Sequence, residues 1–230
     1  PDEVIEAAQY AINDCGAVGT QIYTHVQGRP LDDPEFIPFF DYMASVDLPV
    51  WIHPARGADM SDYPTEEKSK YEIWWAFGWP YETSVAMARL VFSKTFDRLP
   101  NLKVITHHGG GMIPFFEGRI SPGLDVLGVR TSDEDYGALL KDLEHAPIDY
   151  FRRFNADTAL FGGRGATNCA LDFFGDDQIV FASDAPFDPE GGRMFIRQTI
   201  EVLDGLDLTD EVRAKIYHGN IGRLTNRDFS

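Results

Sequence analysis

The chain has 230 residues, of which 43% are hydrophobic, and its 37 acidic and 20 basic side chains give a formal net charge of −17. This acidic balance argues against electrostatic binding to nucleic acid or to an anionic membrane surface. A chain of this length can bury a substantial core, and because it contains no obvious linker we interpret residues 1–230 as one domain. The two cysteines, Cys15 and Cys169, are too few for a disulfide framework, which indicates a cytoplasmic protein.

Strand-like and helix-like segments alternate along the chain. Apolar periodicity and turn residues predict strands over 17–23, 49–53, 103–107, 151–159 and 179–183, and helices over 1–14, 34–46 and 80–97, from about 111, and over 134–144, 166–174, 193–204 and 209–224. This alternation is typical of βαβ units and a parallel sheet. A closed (β/α)8 barrel has eight strands, so we expect its first three strands to precede Pro1.

Three predicted strands lead into side chains that suit a metal site. The second, third and fifth strands lead into His53, the pair His107-His108, and Asp184. Because the carboxyl ends of parallel strands lie on one face, we expect these side chains to converge on a single pocket. Imidazole and carboxylate donors together suit zinc or a similar divalent ion, with an acid/base group beside it.

A long segment from Ala55 to Trp79 follows the strand that ends in His53. It carries four large aromatic side chains, Trp74, Trp75, Phe77 and Trp79. Connections of this length are uncommon unless they have a function, which favours an aromatic wall of the pocket. A hydrophobic cluster or a subunit interface explains the same residues equally well.

Six short motifs occur in a fixed order along the chain. They are Ile-His-Pro at 52–54, Pro-Tyr-Glu-Thr at 80–83, Phe-Asp-Arg-Leu-Pro-Asn-Leu-Lys at 96–103, His-Gly-Gly-Gly-Met-Ile-Pro-Phe-Phe-Glu-Gly-Arg-Ile at 108–120, Ser-Asp-Ala-Pro-Phe at 183–187, and Gly-Asn at 219–220 before Arg223-Leu224. In this order and spacing the chain resembles the amidohydrolase superfamily, in particular the amidohydrolase-2 group that includes aminocarboxymuconate-semialdehyde decarboxylase. The resemblance extends from Ala17 to Leu224.

The resemblance implies a (β/α)8 TIM barrel of metal-dependent hydrolase type that holds one divalent ion, zinc or alternatively manganese. It implies that His53 on the fifth strand and Asp184 on the eighth are metal ligands. His108 matches the acid/base group of the decarboxylase branch, and His107 becomes a structural neighbour. The superfamily takes two further ligands from a His-x-His or Glu-x-His on the first strand, and these 230 residues contain neither motif.

The resemblance also implies where the substrate binds. Arg119 matches an arginine that reaches the neighbouring subunit's pocket and holds a substrate carboxylate, which implies a homodimer. Phe187 matches an aromatic residue of the pocket. We add Arg56, three residues after His53, because a planar guanidinium suits a carboxylate.

These observations favour a carboxy-lyase that acts on a small aromatic or unsaturated carboxylic acid. A hydrolase or hydratase that uses metal-activated water is the alternative, and a non-catalytic barrel that has lost its metal is a further one. Asp157, late in the predicted strand over 151–159, is interpreted as a support of the pocket or a turn cap and is left outside the catalytic set.

Overall fold

The computed structural model describes residues 2–130 and 133–229. Pro1, where the first predicted helix and the predicted domain begin, lies outside the described residues, as do 131–132 and Ser230. The strands are β1 (Thr20–Tyr23), β2 (His25–Val26), β3 (Arg29–Pro30), β4 (Val50–His53), β5 (Val104–Thr106), β6 (Asn155–Asp157) and β7 (Ile179–Val180). The helices are α1 (Asp2–Asn13), α2 (Ile37–Ser45), α3 (Ile73–Ala76), α4 (Gly78–Phe92), α5 (Thr95–Arg98), α6 (Glu117–Leu124), α7 (Tyr136–Asp142), α8 (Pro147–Phe151), α9 (Arg164–Phe174), α10 (Arg193–Gly205), α11 (Asp210–Ala214) and α12 (Asn220–Thr225).

The five predicted strands form one parallel sheet in the order β1-β4-β5-β6-β7. Each strand pairs with the next strand of the sheet in chain order, and helices fill the connections between them. Crossovers of this kind cover a parallel sheet with helices, so its strands are buried and apolar. The predicted parallel α/β architecture is therefore confirmed.

Side chains of the sheet alternate between two faces. One face packs against the helices in the main core through Val50, Ile52, Val104, Ala156 and Ile179. The opposite face forms a smaller cluster from Ile105, Val180 and Leu224, with Trp51 and Ile221 packed against it. Because this period of two continues to the strand ends, His53 follows Trp51, and His107 follows Ile105, onto the second face. The alternation therefore places these histidines on the face opposite the main core.

Several predicted elements differ from the structure in their bounds, and two of them show the physical reason. The predicted helix over 80–97 is interrupted, because Lys94 has a left-handed φ of 62° between α4 and α5. The predicted strand over 151–159 is reduced to β6, because Pro147 begins α8, and the apolar residue Phe151 lies on the buried side of that helix. Buried helices and buried strands share short apolar runs, so periodicity alone did not separate them.

A short hairpin between β1 and α2 was not predicted. Strands β2 and β3 pair antiparallel through a tight turn at Gln27 and Gly28, whose φ angles are 52° and 79°. Two consecutive positive φ angles are the requirement of a type I′ turn. Asn-Gly and Asp-Gly are the dipeptides that usually indicate this turn, and Gln-Gly is not one of them, so the sequence did not reveal the hairpin.

The motif at 96–103 joins α5 and the segment before β5 to α2 and to the end of α8. Asp97 accepts a hydrogen bond from the buried Tyr150 hydroxyl, Asn101 donates to the carbonyl of Ala44 at 2.8 Å, and the carbonyl of Pro100 accepts from Arg153 at 2.6 Å. These contacts lie away from the polar strand ends, so this motif has a structural role. Among the described helices, none has the length and apolar composition needed to cross a membrane.

Candidate metal and active site

Three predicted site residues lie together at the carboxyl ends of the strands. His53 is the last residue of β4, His108 follows β5, and Asp184 lies in the loop after β7. Donor atoms of these three half-buried residues lie within 4.8 Å of one another. Donors around a tetrahedral ion are about 3–4 Å apart, so small side-chain adjustments bring this group to binding distance.

The hydrogen bonds of the two histidines leave the same ring nitrogen free. His53 places Nδ1 2.8 Å from the carbonyl oxygen of Pro54, and His108 places Nδ1 2.8 Å from the carbonyl oxygen of Ala159. A carbonyl only accepts, so both rings carry a proton on Nδ1 and leave Nε2 for a ligand. The Nε2 atom of His108 is buried and has no hydrogen-bond partner among the described residues. An imidazole held in this way fits a metal centre.

The charge states of His53 and Asp184 also fit a bound cation. Burial, together with the neighbouring His107 and His108, lowers the pKa of His53 to about 4. His53 is therefore neutral near pH 7, as a metal ligand must be. Burial raises the pKa of the Asp184 carboxyl, and a nearby divalent cation would favour its charged form.

Unusual backbone conformations direct two of the three donors. His108 has a φ of 57° and Asp184 a φ of 62°, a left-handed region that residues other than glycine rarely adopt. Such conformations persist where surrounding contacts enforce them, and they are common at functional sites. Just after His108, Gly111 has a φ of 64°, and a Cβ atom there would lie 2.6 Å from the carbonyl oxygen of Pro80. The glycine run thus permits a close approach of two backbone segments.

Asp157 connects both histidines of the pair to β6. Its side chain is 1% exposed, and its Oδ2 lies 2.9 Å from Nδ1 of His107. Its Oδ1 accepts from the backbone N–H groups of His108, at 2.8 Å, and Ala159, at 3.0 Å. Burial tends to lower the pKa of His107, but the hydrogen bond and charge of Asp157 outweigh it and raise that pKa. Sequence reasoning left Asp157 outside the catalytic set.

A cavity of about 680 Å³ opens beside this group, within the size range of small-molecule sites. Its lining includes His53, His107 and Asp184 together with aromatic side chains, namely Tyr23, Trp75, Trp79, Phe161, Phe187 and Phe195. The Trp79 ring lies 5.3 Å from the His53 ring. Trp75 and Trp79 therefore form the expected aromatic wall, whereas Phe77 of the same segment is 71% exposed and does not line this cavity.

The three predicted substrate-binding residues lie in different places. Phe187 lines the cavity and is 79% exposed. Arg56 forms an ion pair with Glu82 at 2.8 Å, and both side chains are largely buried. Arg119 is exposed on α6 and lines a separate concavity of about 900 Å³. The structure thus brings Phe187, but neither arginine, into the wall of the cavity within one chain.

Comparisons with known proteins place the chain in a family. The Amidohydro_2 family model, described as amidohydrolase, matches residues 1–226. The 2-amino-3-carboxymuconate-6-semialdehyde decarboxylase of Dictyostelium discoideum is 31% identical over 80% of this chain and 47% of its own length. The 2-keto-4-carboxy-3-hexenedioate hydratase of Sphingobium sp. is 25% identical over 97% of this chain and 61% of its own length.

A solved structure shares the fold. The dihydroxybenzoic acid decarboxylase of Polaromonas sp. JS666, crystallised with manganese and the inhibitor 2-nitroresorcinol, superimposes with a TM-score of 0.77 at 22% identity. The match covers 99% of this chain and 67% of that one. The chain thus spans between about half and two thirds of these relatives. The predicted fold class, a metal-dependent hydrolase-type (β/α)8 barrel, is confirmed, and the chain belongs to the amidohydrolase family.

Proposed function

We propose that this chain provides the active site of a metal-dependent carboxy-lyase for a small aromatic or unsaturated carboxylic acid. The observation that carries the proposal is the convergence of His53, His108 and Asp184 beside an aromatic-walled cavity of about 680 Å³. The kinship with a muconate-semialdehyde decarboxylase supports it. In this proposal residues 1–230 form one barrel-type domain that contains strands four to eight.

His53 and Asp184 are proposed to hold one divalent ion, with Nε2 of His53 and a carboxylate oxygen as donors. When bound, the ion supplies Lewis acidity that stabilises negative charge on a substrate oxygen. An imidazole and a carboxylate are donors that suit zinc. Manganese is the alternative, because the Polaromonas decarboxylase that shares this fold binds it.

His108 is proposed to move the proton. Decarboxylation breaks the bond between a carbon atom and its carboxylate, and that carbon must gain a proton in place of carbon dioxide. With Nδ1 tied to Ala159, the nitrogen of His108 left for this transfer is Nε2. An imidazole suits the task because its ordinary pKa lies close to neutral pH. The aromatic walls exclude water and orient the flat substrate.

Substrate recognition is proposed to come from Phe187, Arg56 and Arg119. Phe187 supplies an apolar surface to the cavity. Arg56 adjoins the cavity wall, because Nε1 of Trp79 donates to its carbonyl at 3.2 Å, and its cation is proposed to attract the substrate carboxylate from outside that wall. Arg119 is proposed to enter the cavity of a second copy in a homodimer, because it is exposed and lies outside its own cavity. Cytoplasmic residence stays a prediction, supported by two free cysteines.

A hydratase or hydrolase is the second candidate. A relative over 97% of this chain is a hydratase of a carboxylated hexenedioate, and water activated at the same centre would add to an alkene or a carbonyl. The loss of metal by both His53→Ala and Asp184→Ala proteins would argue against the third possibility, a barrel without metal.

The test combines metal analysis with product detection. Purified protein is expected to contain close to one divalent ion per chain and to release carbon dioxide from one or more acids in a panel of hydroxybenzoates and muconates. Metal-loaded protein that leaves the whole panel intact, but hydrates enoates or opens lactones, would favour the second candidate.

A further inference from the structure

Asp157 is the most deeply buried charged side chain near the cavity. Its carboxylate is 1% exposed, accepts hydrogen bonds from the backbone N–H groups of His108 and Ala159, and pairs at 2.9 Å with Nδ1 of the His107 ring. Burying a carboxylate costs several kcal/mol unless such partners compensate it. A group held at this cost beside two histidines needs an explanation other than packing.

Neighbouring polar residues in and just after the same strand serve as a comparison. Asn155 donates to the Val104 carbonyl at 3.2 Å, and the Thr158 hydroxyl donates to the Ala182 carbonyl at 2.8 Å. Both are buried neutral groups: Asn155 joins β6 to β5, and Thr158 joins the residues that follow β6 and β7. Joining strands therefore does not require a charge at this place, whereas binding an imidazole N–H strongly does.

The Asp157 carboxylate determines which ring nitrogen of His107 carries a proton. An ionised carboxylate only accepts, so Nδ1 of His107 must donate to Oδ2 of Asp157. The remaining nitrogen, Nε2, is buried without a hydrogen-bond partner among the described residues. The His107 ring lies 5.1 Å from the His53 ring and forms part of the cavity wall.

The same carboxylate also steadies the turn that directs His108. The φ of 57° at His108 is unfavourable for a side chain with a Cβ atom, and Oδ1 of Asp157 holds the N–H of that residue. Ala159, whose N–H binds the same oxygen, provides the carbonyl that orients the His108 ring. One carboxylate thus fixes the positions of both imidazoles.

We propose that Asp157 is a positioning residue of this site, which keeps the proton of His107 on Nδ1 and holds His108 in its left-handed turn. The expected effect on catalysis rests on the proposed carboxy-lyase function, whereas the contacts of Asp157 with His107 and His108 do not depend on it. His107 is then more than a structural neighbour, because its Nε2 is kept available at the edge of the cavity.

The deciding variant is Asp157→Asn. The amide has the same shape, and its oxygen still accepts from the N–H groups of His108 and Ala159. The atom that faces His107 becomes an NH2 donor, so Nδ1 of His107 must accept and the ring proton moves to Nε2. Nitrogen-15 NMR of histidine-labelled full chain, loaded with diamagnetic Zn2+, is expected to show an Nδ1–H at His107 in the original protein and none in the variant.

Kinetics provide the second measurement. Asp157→Asn is expected to lower kcat by about 100-fold while KM and metal content change by less than about threefold, since the turn and the donors remain. The matched control is Asn155→Ala, which removes a buried hydrogen bond from the same strand without contacting either histidine. Its kcat is expected to stay within about threefold of the original value.

Two results would overturn the inference: an Nδ1–H at His107 that persists in Asp157→Asn, or an equal fall of kcat in Asp157→Asn and Asn155→Ala. The proposed function fails separately. If the original protein releases no carbon dioxide from any acid but the His107 proton moves in Asp157→Asn, the positioning role is supported and the carboxy-lyase assignment is rejected.

Discussion

The Nδ1 atom of His108 lies 2.8 Å from the carbonyl oxygen of Ala159, so the loop after β6 orients the ring that follows β5. Phe161 of the same loop stacks against this ring, with centroids 5.5 Å apart and an angle of 28° between the planes. A backbone acceptor cannot be removed by a side-chain substitution, so this orientation depends on the conformation of the loop. The functional unit therefore includes the β6 loop as well as the strand ends.

Loss of a predicted ligand should lower metal affinity. His53→Ala and Asp184→Asn each remove or weaken one donor of the group, and we expect the dissociation constant for Zn2+ to rise by at least about 100-fold. Competition with a chromophoric chelator measures it. His145→Ala, an exposed histidine outside the group, is the matched control and should bind metal normally. Normal metal content in both ligand variants would contradict the assignment.

The aromatic wall should contribute to substrate binding rather than to metal binding. Trp75→Ala removes a ring that lines the cavity, and we expect KM for an aromatic acid to rise by about tenfold, equivalent to ~1.4 kcal/mol, with metal content unchanged. Phe77→Ala is the control, because Phe77 belongs to the same segment but is 71% exposed away from the cavity. If the two substitutions raise KM equally, the wall does not contact the substrate.

The glycine run after His108 should be intolerant of a side chain at one position. In Gly111→Ala the new Cβ would meet the Pro80 carbonyl at 2.6 Å, and its φ of 64° disfavours alanine. We expect the free energy of unfolding to fall by about 2–3 kcal/mol in a urea titration. Gly118→Ala, in α6 with nothing within 4 Å of the added atom, should instead change it by less than about 1 kcal/mol. Equal free energies of unfolding for the two variants would show that the close approach between Gly111 and Pro80 does not contribute to stability.

The strand-end donors were accessible to sequence reasoning because local patterns specify them. His53 and Asp184 each follow a short apolar run, and parallel strands bring such ends to one face. Asp157 belongs to the same class, but the predicted strand over 151–159 placed it inside a strand. With β6 ending at Asp157, its position is equivalent to that of the others. Asp157 was therefore missed because the end of this strand was predicted too late in the chain, and not because the sequence pattern was absent.

Ion pairs between residues that are distant in the chain could not be predicted from the sequence. Arg56 suited a substrate carboxylate by its distance from His53, yet its guanidinium lies 2.8 Å from Glu82, on a helix 26 positions later. A periodic sequence pattern does not predict which acidic residue forms an ion pair with a buried arginine. The left-handed turn at His108 was equally hidden, because nothing in His-His-Gly specifies the φ of the second histidine.

Arg119 provides the test of the proposed dimer. If it completes the cavity of a second copy, Arg119→Ala and His108→Ala should each be nearly inactive alone. Mixing them after exchange of subunits should restore about a quarter of the original activity, because half of the twofold dimers are mixed and each of these has one intact site. Arg130→Ala, an arginine of the same concavity, is the matched control and should retain activity. A mixture that stays inactive, although exchange is verified by mass, would place Arg119 outside the partner's cavity.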